Sequence, residues 1–202
     1  MAVELLAPSV DIGLVTTNLD PMVEFYENFL GLPFQLDLDF PGGGRAQGVI
    51  RAPLFFGRQP NSAPRSPMAI DLLAKNIEVG LVTTNLDAMV EFYENFLGLP
   101  YTGDLDFPGG TMKRYALGDN VLKLITLDQP PAAPATPGGG PAAAGIRYYT
   151  VVVASTTKAA EQVKAAGYEI AQELAEFAPV PGMGWMFVAD PDGNWVELVG
   201  PL

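Results

Sequence analysis

Residues 85–100 read NLDAMVEFYENFLGLP. Met89, Phe92, Tyr93, Phe96 and Leu97 recur at helical spacing, with Asp87 placed to cap the N-terminus and Gly98 to close the C-terminus. Extended segments flank this helix. Upstream, residues 77–83 alternate, with Val79 and Leu81 on one face and Glu78, Gly80 and Val82 on the other. Downstream, residues 101–107, 113–117 and 121–127 read as three strands, separated by turn signals at Gly109, Gly110 and Gly118-Asp119-Asn120. The order is βαβββ.

The same order returns with different residues. Residues 146–154 read as a strand, 158–166 as a helix stopped by Gly167, and 169–173, 184–189 and 195–198 as strands. Asp190-Pro191-Asp192-Gly193 is a strong turn, because proline sets φ at its second position and glycine suits its fourth. Residues 68–202 are therefore predicted to be one α+β domain of two modules, 68–128 and 146–202. The stretch between them, QPPAAPATPGGGPAAAG at 129–145, suits neither a central strand nor a helix and is predicted to be an exposed connector.

Residues 1–43 repeat residues 68–110 at an offset of 67, with 32 of 43 positions identical. The match stops abruptly after Gly43. Residues 44–67 carry Arg45, Arg51, Arg58 and Arg65 and no acidic residue, and read either as an anion-binding arm or as an irregular connector. The head, 1–67, thus holds a partial copy of the first module, with Asp11 standing where Glu78 stands and no counterpart of the strand VLKLI. A lone partial module would expose an unpaired strand edge and an apolar face, so the head must find a partner. It can compete for the second module or pair with the head of another chain, and the homodimer is the expected outcome.

Composition removes several functions. Eleven Lys and Arg against 23 Asp and Glu give a formal charge of −12, which opposes nucleic acid and anionic membrane surfaces. The chain has no cysteine and no histidine, which excludes disulfides, thiolate and imidazole metal sites, cysteine nucleophiles and Ser-His-Asp triads. No signal-like start and no run of the ~20 apolar residues that span a bilayer is found, so a cytoplasmic protein is predicted.

NLDAMVEFYENFLGLP near the start of the domain and FVADPDGNWVELVGP at its end resemble the vicinal-oxygen-chelate superfamily of glyoxalases, bleomycin-resistance proteins and extradiol dioxygenases. The resemblance implies modules whose curved sheets close around a central cavity. In metal-dependent members that cavity holds a divalent ion, bound from the first and last strand of each module. Those positions fall on Glu78, Lys123, Tyr148 and Glu197 in this sequence. Lys123 is a cation with donors only, so the resemblance implies use of the cavity without a metal or other cofactor.

Two carboxylates and one ammonium leave negative charge unbalanced, which would raise one carboxylate's pKa and suit it as a base. In that reading Lys123 stabilises an enolate and Tyr148 donates a hydrogen bond. In the other, Glu78 and Lys123 form a structural ion pair. Trp195 shares a face with Glu197 and offers a flat wall, Arg114 can hold a carboxylate in bidentate fashion, and Val82 and Thr150 complete the expected ligand contacts. The function expected is metal-independent binding of a small organic molecule, of the antibiotic-sequestering or carrier type. The alternative is a lyase or isomerase that takes a proton beside a carbonyl.

Overall fold

The computed structural model describes residues 3–30, 32, 36–40, 44–48, 76–178 and 180–202. It divides into two compact units, one of Met1–Val15 with Asn76–Leu202, the other of Thr16–Lys75. In chain order the elements begin with β1 (Leu5–Val15), α1 (Leu19–Val23), β2 (Leu36–Phe40), β3 (Gly44–Gly48), β4 (Glu78–Val82) and α2 (Leu86–Val90). There follow β5 (Tyr101–Phe107), β6 (Gly110–Leu117), β7 (Asn120–Leu127), α3 (Gly139–Ala142), β8 (Gly145–Val153), α4 (Thr156–Ala166), β9 (Ile170–Glu176), β10 (Met183–Ala189) and β11 (Trp195–Pro201).

The first unit is α+β, with two mixed sheets ordered β4-β7-β6-β5 and β1-β8-β11-β10-β9. In each module the first strand lies parallel to the last, Glu78 opposite Val121 and Trp195 opposite Tyr148. Parallel neighbours need a crossover, which the helix supplies. The remaining strands pair antiparallel. Val79 and Leu81 pack against the core, while Glu78 and Val82 are exposed, as the alternation of β4 predicts.

The first helix departs from its predicted form. Its cap is Asn85, not Asp87, because the Asn85 N–H donates to Thr83 Oγ1 at 2.8 Å and turns the chain out of the strand two residues earlier. Beyond α2 the coil widens into a π-helical turn, Glu91–Phe96, closed by Leu97 N–H to Phe92 O at 2.9 Å. Phe92, Tyr93, Phe96 and Leu97 are all buried there. Burial of side chains this large stabilises by ~1.5–3 kcal/mol each. The second helix is more regular, with Ser155 accepting from Lys158 N–H at 3.3 Å and Gly167 taking the left-handed conformation at φ 77° that ends it.

β1 belongs to the sheet of the second module. It runs antiparallel to β8, with Val10 opposite Val151, Asp11 opposite Thr150, Ile12 opposite Tyr149 and Gly13 opposite Tyr148. Its register slips between Leu5 and Val10, a stretch that contains Pro8, which has no N–H to give to a ladder. Val3 N–H donates to Phe96 O and Ala154 N–H to Glu4 O, both at 2.8 Å, and Leu5 and Ile12 pack on the core.

The second unit repeats the local geometry of its copy. Asn18 N–H donates to Thr16 Oγ1 at 2.9 Å, and α1 runs into a π-helical turn, Glu24–Phe29, closed by Leu30 N–H to Phe25 O at 2.9 Å. β2 and β3 form an antiparallel pair. Of the predicted basic island, Arg51, Arg58 and Arg65 lie outside the described residues.

The connector between the modules is exposed at most positions, yet Gly139 is buried. It contains one helical turn, α3, where no helix was predicted; Pro141 is tolerated because a helix's first N–H groups have no internal acceptor. Among the described residues no helix is long and apolar enough to cross a membrane.

Candidate ligand-binding site

The predicted site residues fall into two clusters, one on each sheet. On the first module, Lys123 of β7 lies opposite Gly80 of β4 on one side and Arg114 of β6 on the other. The Lys123 ammonium forms an ion pair with Glu78 on β4. Val82 stands further along the same face and is 46% exposed.

Glu78's carboxyl is held below the ordinary carboxylate range, chiefly by the hydrogen bond from Lys123, against the opposing pull of burial and with help from the charges of Lys123 and Arg114. The rise expected for one of the two carboxylates is therefore not found at Glu78. Lys123 and Arg114 place two cations around Glu78, so the local balance is positive. A carboxylate held in that way is a weak base at neutral pH.

On the second module, alternation turns Tyr148, Thr150, Trp195 and Glu197 to the face away from the core, while Tyr149, Val151, Val196 and Leu198 pack inward. Thr150 and Glu197 are direct neighbours in the parallel register, and Thr150 Oγ1 donates to Glu197 Oε2 at 2.5 Å. Around them runs a connected set of half-buried rings. Phe187 meets Tyr148 at 5.0 Å between centroids, Trp195 at 5.0 Å and Trp185 at 5.7 Å. Trp185 and Phe187 of β10 were not foreseen, although their two-residue spacing marks them as sharing a face.

The connector covers one end of this wall. Arg147 Nε donates to Gly139 O at 2.8 Å and Nη2 to Thr136 O at 2.6 Å. The backbone of Gly139 then lies so close to the indole of Trp195 that a Cβ would overlap the ring. Arg147 therefore fixes the connector.

Behind both sheets, a buried polar network links the two motifs that define the domain. Tyr149 Oη donates to Tyr93 Oη at 2.5 Å, and Tyr93 Oη donates to Asp190 Oδ2 at 2.7 Å. Asp190 also accepts from the backbone N–H groups of Asp192 and Asn194 and from the Asn194 amide. Burial nonetheless pushes its carboxyl above the ordinary range. Burial likewise keeps both phenols protonated well past their usual range. A cavity of about 10 Å³ beside Tyr149, lined by Val79, Leu99, Leu117 and Leu122, is no larger than a water.

The four positions at which metal-dependent relatives hold an ion do not fit one here. Lys123 puts an ammonium at one of them and occupies the carboxylate of Glu78, and Tyr148 offers a phenol engaged with Phe187. Among the described residues no group of three or more carboxylates is placed to hold a cation.

Paired βαβββ modules in two mixed sheets are the observed fold, and comparison assigns a family to it. The profile of the Glyoxalase/Bleomycin resistance protein/Dioxygenase superfamily matches residues 75–198, more than half of the chain, and the protein belongs to that superfamily. Among solved structures, the chain is similar to SMU.1112c, at 24% identity and a TM-score of 0.52, covering 63% of this chain and 99% of that one. It is also similar to the glyoxalase family protein APC24694 from Bacillus cereus, at 17% identity and a TM-score of 0.56, covering 66% and 97%. A glyoxalase family protein from Enterococcus faecalis is 25% identical, with a TM-score of 0.46 and coverage of 61% and 92%. No curated protein matches the chain.

Proposed function

We propose that this chain is a metal-independent binding protein for a small, planar, anionic organic molecule. The observation that carries the reading is the half-buried ring wall of Tyr148, Trp185, Phe187 and Trp195, with Glu197 and Thr150 beside it. Such a surface stacks a flat ligand at little cost in side-chain entropy. Arg114 and Lys123 supply positive charge on the other module for the ligand's acidic group. Proton abstraction by Glu78 is disfavoured, because Lys123 stabilises its ionised form.

Both tryptophans of the chain lie in this wall, so tryptophan emission, excited apart from the tyrosines, reports on it. Titration with naphthalene-2-sulfonate, a planar aromatic anion, is expected to quench that emission saturably, equally with and without chelator. Trp195→Ala and Arg114→Ala are each expected to weaken it. Quenching that is unchanged in both variants, or that requires a divalent metal, would overturn the reading.

A further inference from the structure

We propose that the connector, residues 129–145, is a hinged cover over the ring wall, latched shut by Arg147, and that a flat ligand takes the place of Gly139 on the indole of Trp195. The proposal rests on the reading of that wall as the ligand surface. A Cβ at Gly139 would fall on Cδ2, Cε3 and Cε2 of Trp195. Cδ2 is bonded within the ring plane on all three sides, so Gly139 lies over the face of the indole and not at its edge. Phe187 overlaps the same indole, at 5.0 Å between centroids and 37° between planes. A flat ligand that stacks on Trp195 therefore displaces one of them. Phe187 sits in β10, hydrogen-bonded to β9 on one side and β11 on the other, so the connector is the side that yields.

The latch follows from the register of β8. Gly13 stands opposite Tyr148 but Leu14 opposite Ile146, which leaves Arg147 as the extra residue of a β-bulge. A bulge bends its strand and re-aims a side chain. Here the guanidinium reaches the connector and donates to the carbonyls of Gly139 and Thr136, at 2.8 and 2.6 Å. Among the described residues these are the hydrogen bonds that join 129–144 to the sheets. Little else holds the segment down, for it has no ionisable and no large apolar side chain, and residues 129–138 are exposed. It also carries its own hinge. Gly138 and Gly139 take positive φ, 91° and 56°, beside a third glycine at 140, and Gly145, at φ 108°, stands where β8 begins. Residues without side chains absorb the rotation that opening requires. A cover held by two bonds opens as a minor state, and a ligand that binds the open form draws on that population.

The two restraints can be removed separately. Full-length chains carrying Arg147→Ala, which loses the latch, or Gly139→Ala, whose methyl group cannot fit on the indole, are titrated with naphthalene-2-sulfonate. Each is expected to bind about tenfold tighter than wild type, because the closed state no longer takes most of the population. A connector that formed a wall of the site would give the opposite sign. A second readout needs no ligand. In a Trp185→Phe background Trp195 is the sole tryptophan, and acrylamide is expected to quench it more steeply in both variants. Unchanged or weaker binding in either variant, or acrylamide quenching that either leaves unsteepened, would overturn the proposal. Probe binding that depends on Trp195 but that neither variant tightens removes the cover and leaves the binding reading standing. Probe binding indifferent to Trp195→Ala removes both.

Discussion

The phenol of Tyr93 donates a 2.7 Å hydrogen bond to the carboxylate of Asp190, across 97 residues of sequence. Tyr93 comes from the helix of the first module and Asp190 from the last turn of the second, so this bond ties together the two motifs by which the domain is recognised. Tyr93→Phe removes the donor to a buried carboxylate and the acceptor for Tyr149. A loss of about 1.5–3 kcal/mol is expected in urea unfolding, the range for hydrogen bonds to charged groups. A loss within error would mean that water replaces the phenol.

Asp190 also gives stability a pH dependence of defined sign. Its folded pKa is raised by burial, so the folded form holds the proton more tightly than the unfolded one. Its contribution is largest below the ordinary aspartate range and is lost as pH rises through the folded value. Glu78 and Asp104 act oppositely: their folded values are lowered by Lys123 and Lys113, so their contribution is lost as pH falls through them. The expected result is that wild type gains stability relative to Asp190→Asn on going from about pH 7 to about pH 4. A gap that narrows on acidification would contradict it.

The Glu78–Lys123 pair contributes little to folding. Glu78's side chain is 40% exposed and Lys123's 23%, and pairs so open to solvent are worth about 0–1 kcal/mol. Lys123→Ala should therefore unfold within that margin of wild type while losing affinity for an anionic aromatic probe. A drop of several kcal/mol would place the pair in a drier setting than the one seen here.

Gly139 and Arg147 should report on the connector. Gly139→Ala adds a methyl group against Trp195 at a residue whose φ is 56°, and Arg147→Ala removes both tethers to the connector. Both variants are expected to expose Trp195 and shift its emission to longer wavelength. Unchanged emission in Arg147→Ala would show that the indole is covered by other contacts.

A chain begun at Met68 keeps both modules and should remain folded by circular dichroism, with its oligomeric state by light scattering changed from that of the full chain. An unfolded product would show that β1, which covers the edge of β8, is integral to the domain.

Much of the domain was legible in the sequence because its signals are local. Alternation placed Val79 and Leu81 inward, and Asp190-Pro191-Asp192-Gly193 closed as a turn through Gly193 N–H to Asp190 O at 2.8 Å. The cap was misread because Asp87 and Asn85 are both capping residue types, and a bond from Asn85 to Thr83 decides between them. The π-helical turn was hidden because its apolar residues still satisfy helical spacing. At the site, residue types and faces could be read, but not the sign of the charge balance. That sign depends on Lys123 of β7 reaching Glu78 of β4, a relation between strands with no trace in the order of residues.

The widened coil also says what sets a helix's winding here. A π-helical turn holds one residue more than an α-turn, and Glu24–Phe29 and Glu91–Phe96, both EFYENF, carry that surplus at the same place in the repeated sequence. The two turns lie in different compact units, so what they share is the local sequence and not the surroundings. The wide turn is therefore written into those six residues, and substitutions within them are where it would be undone.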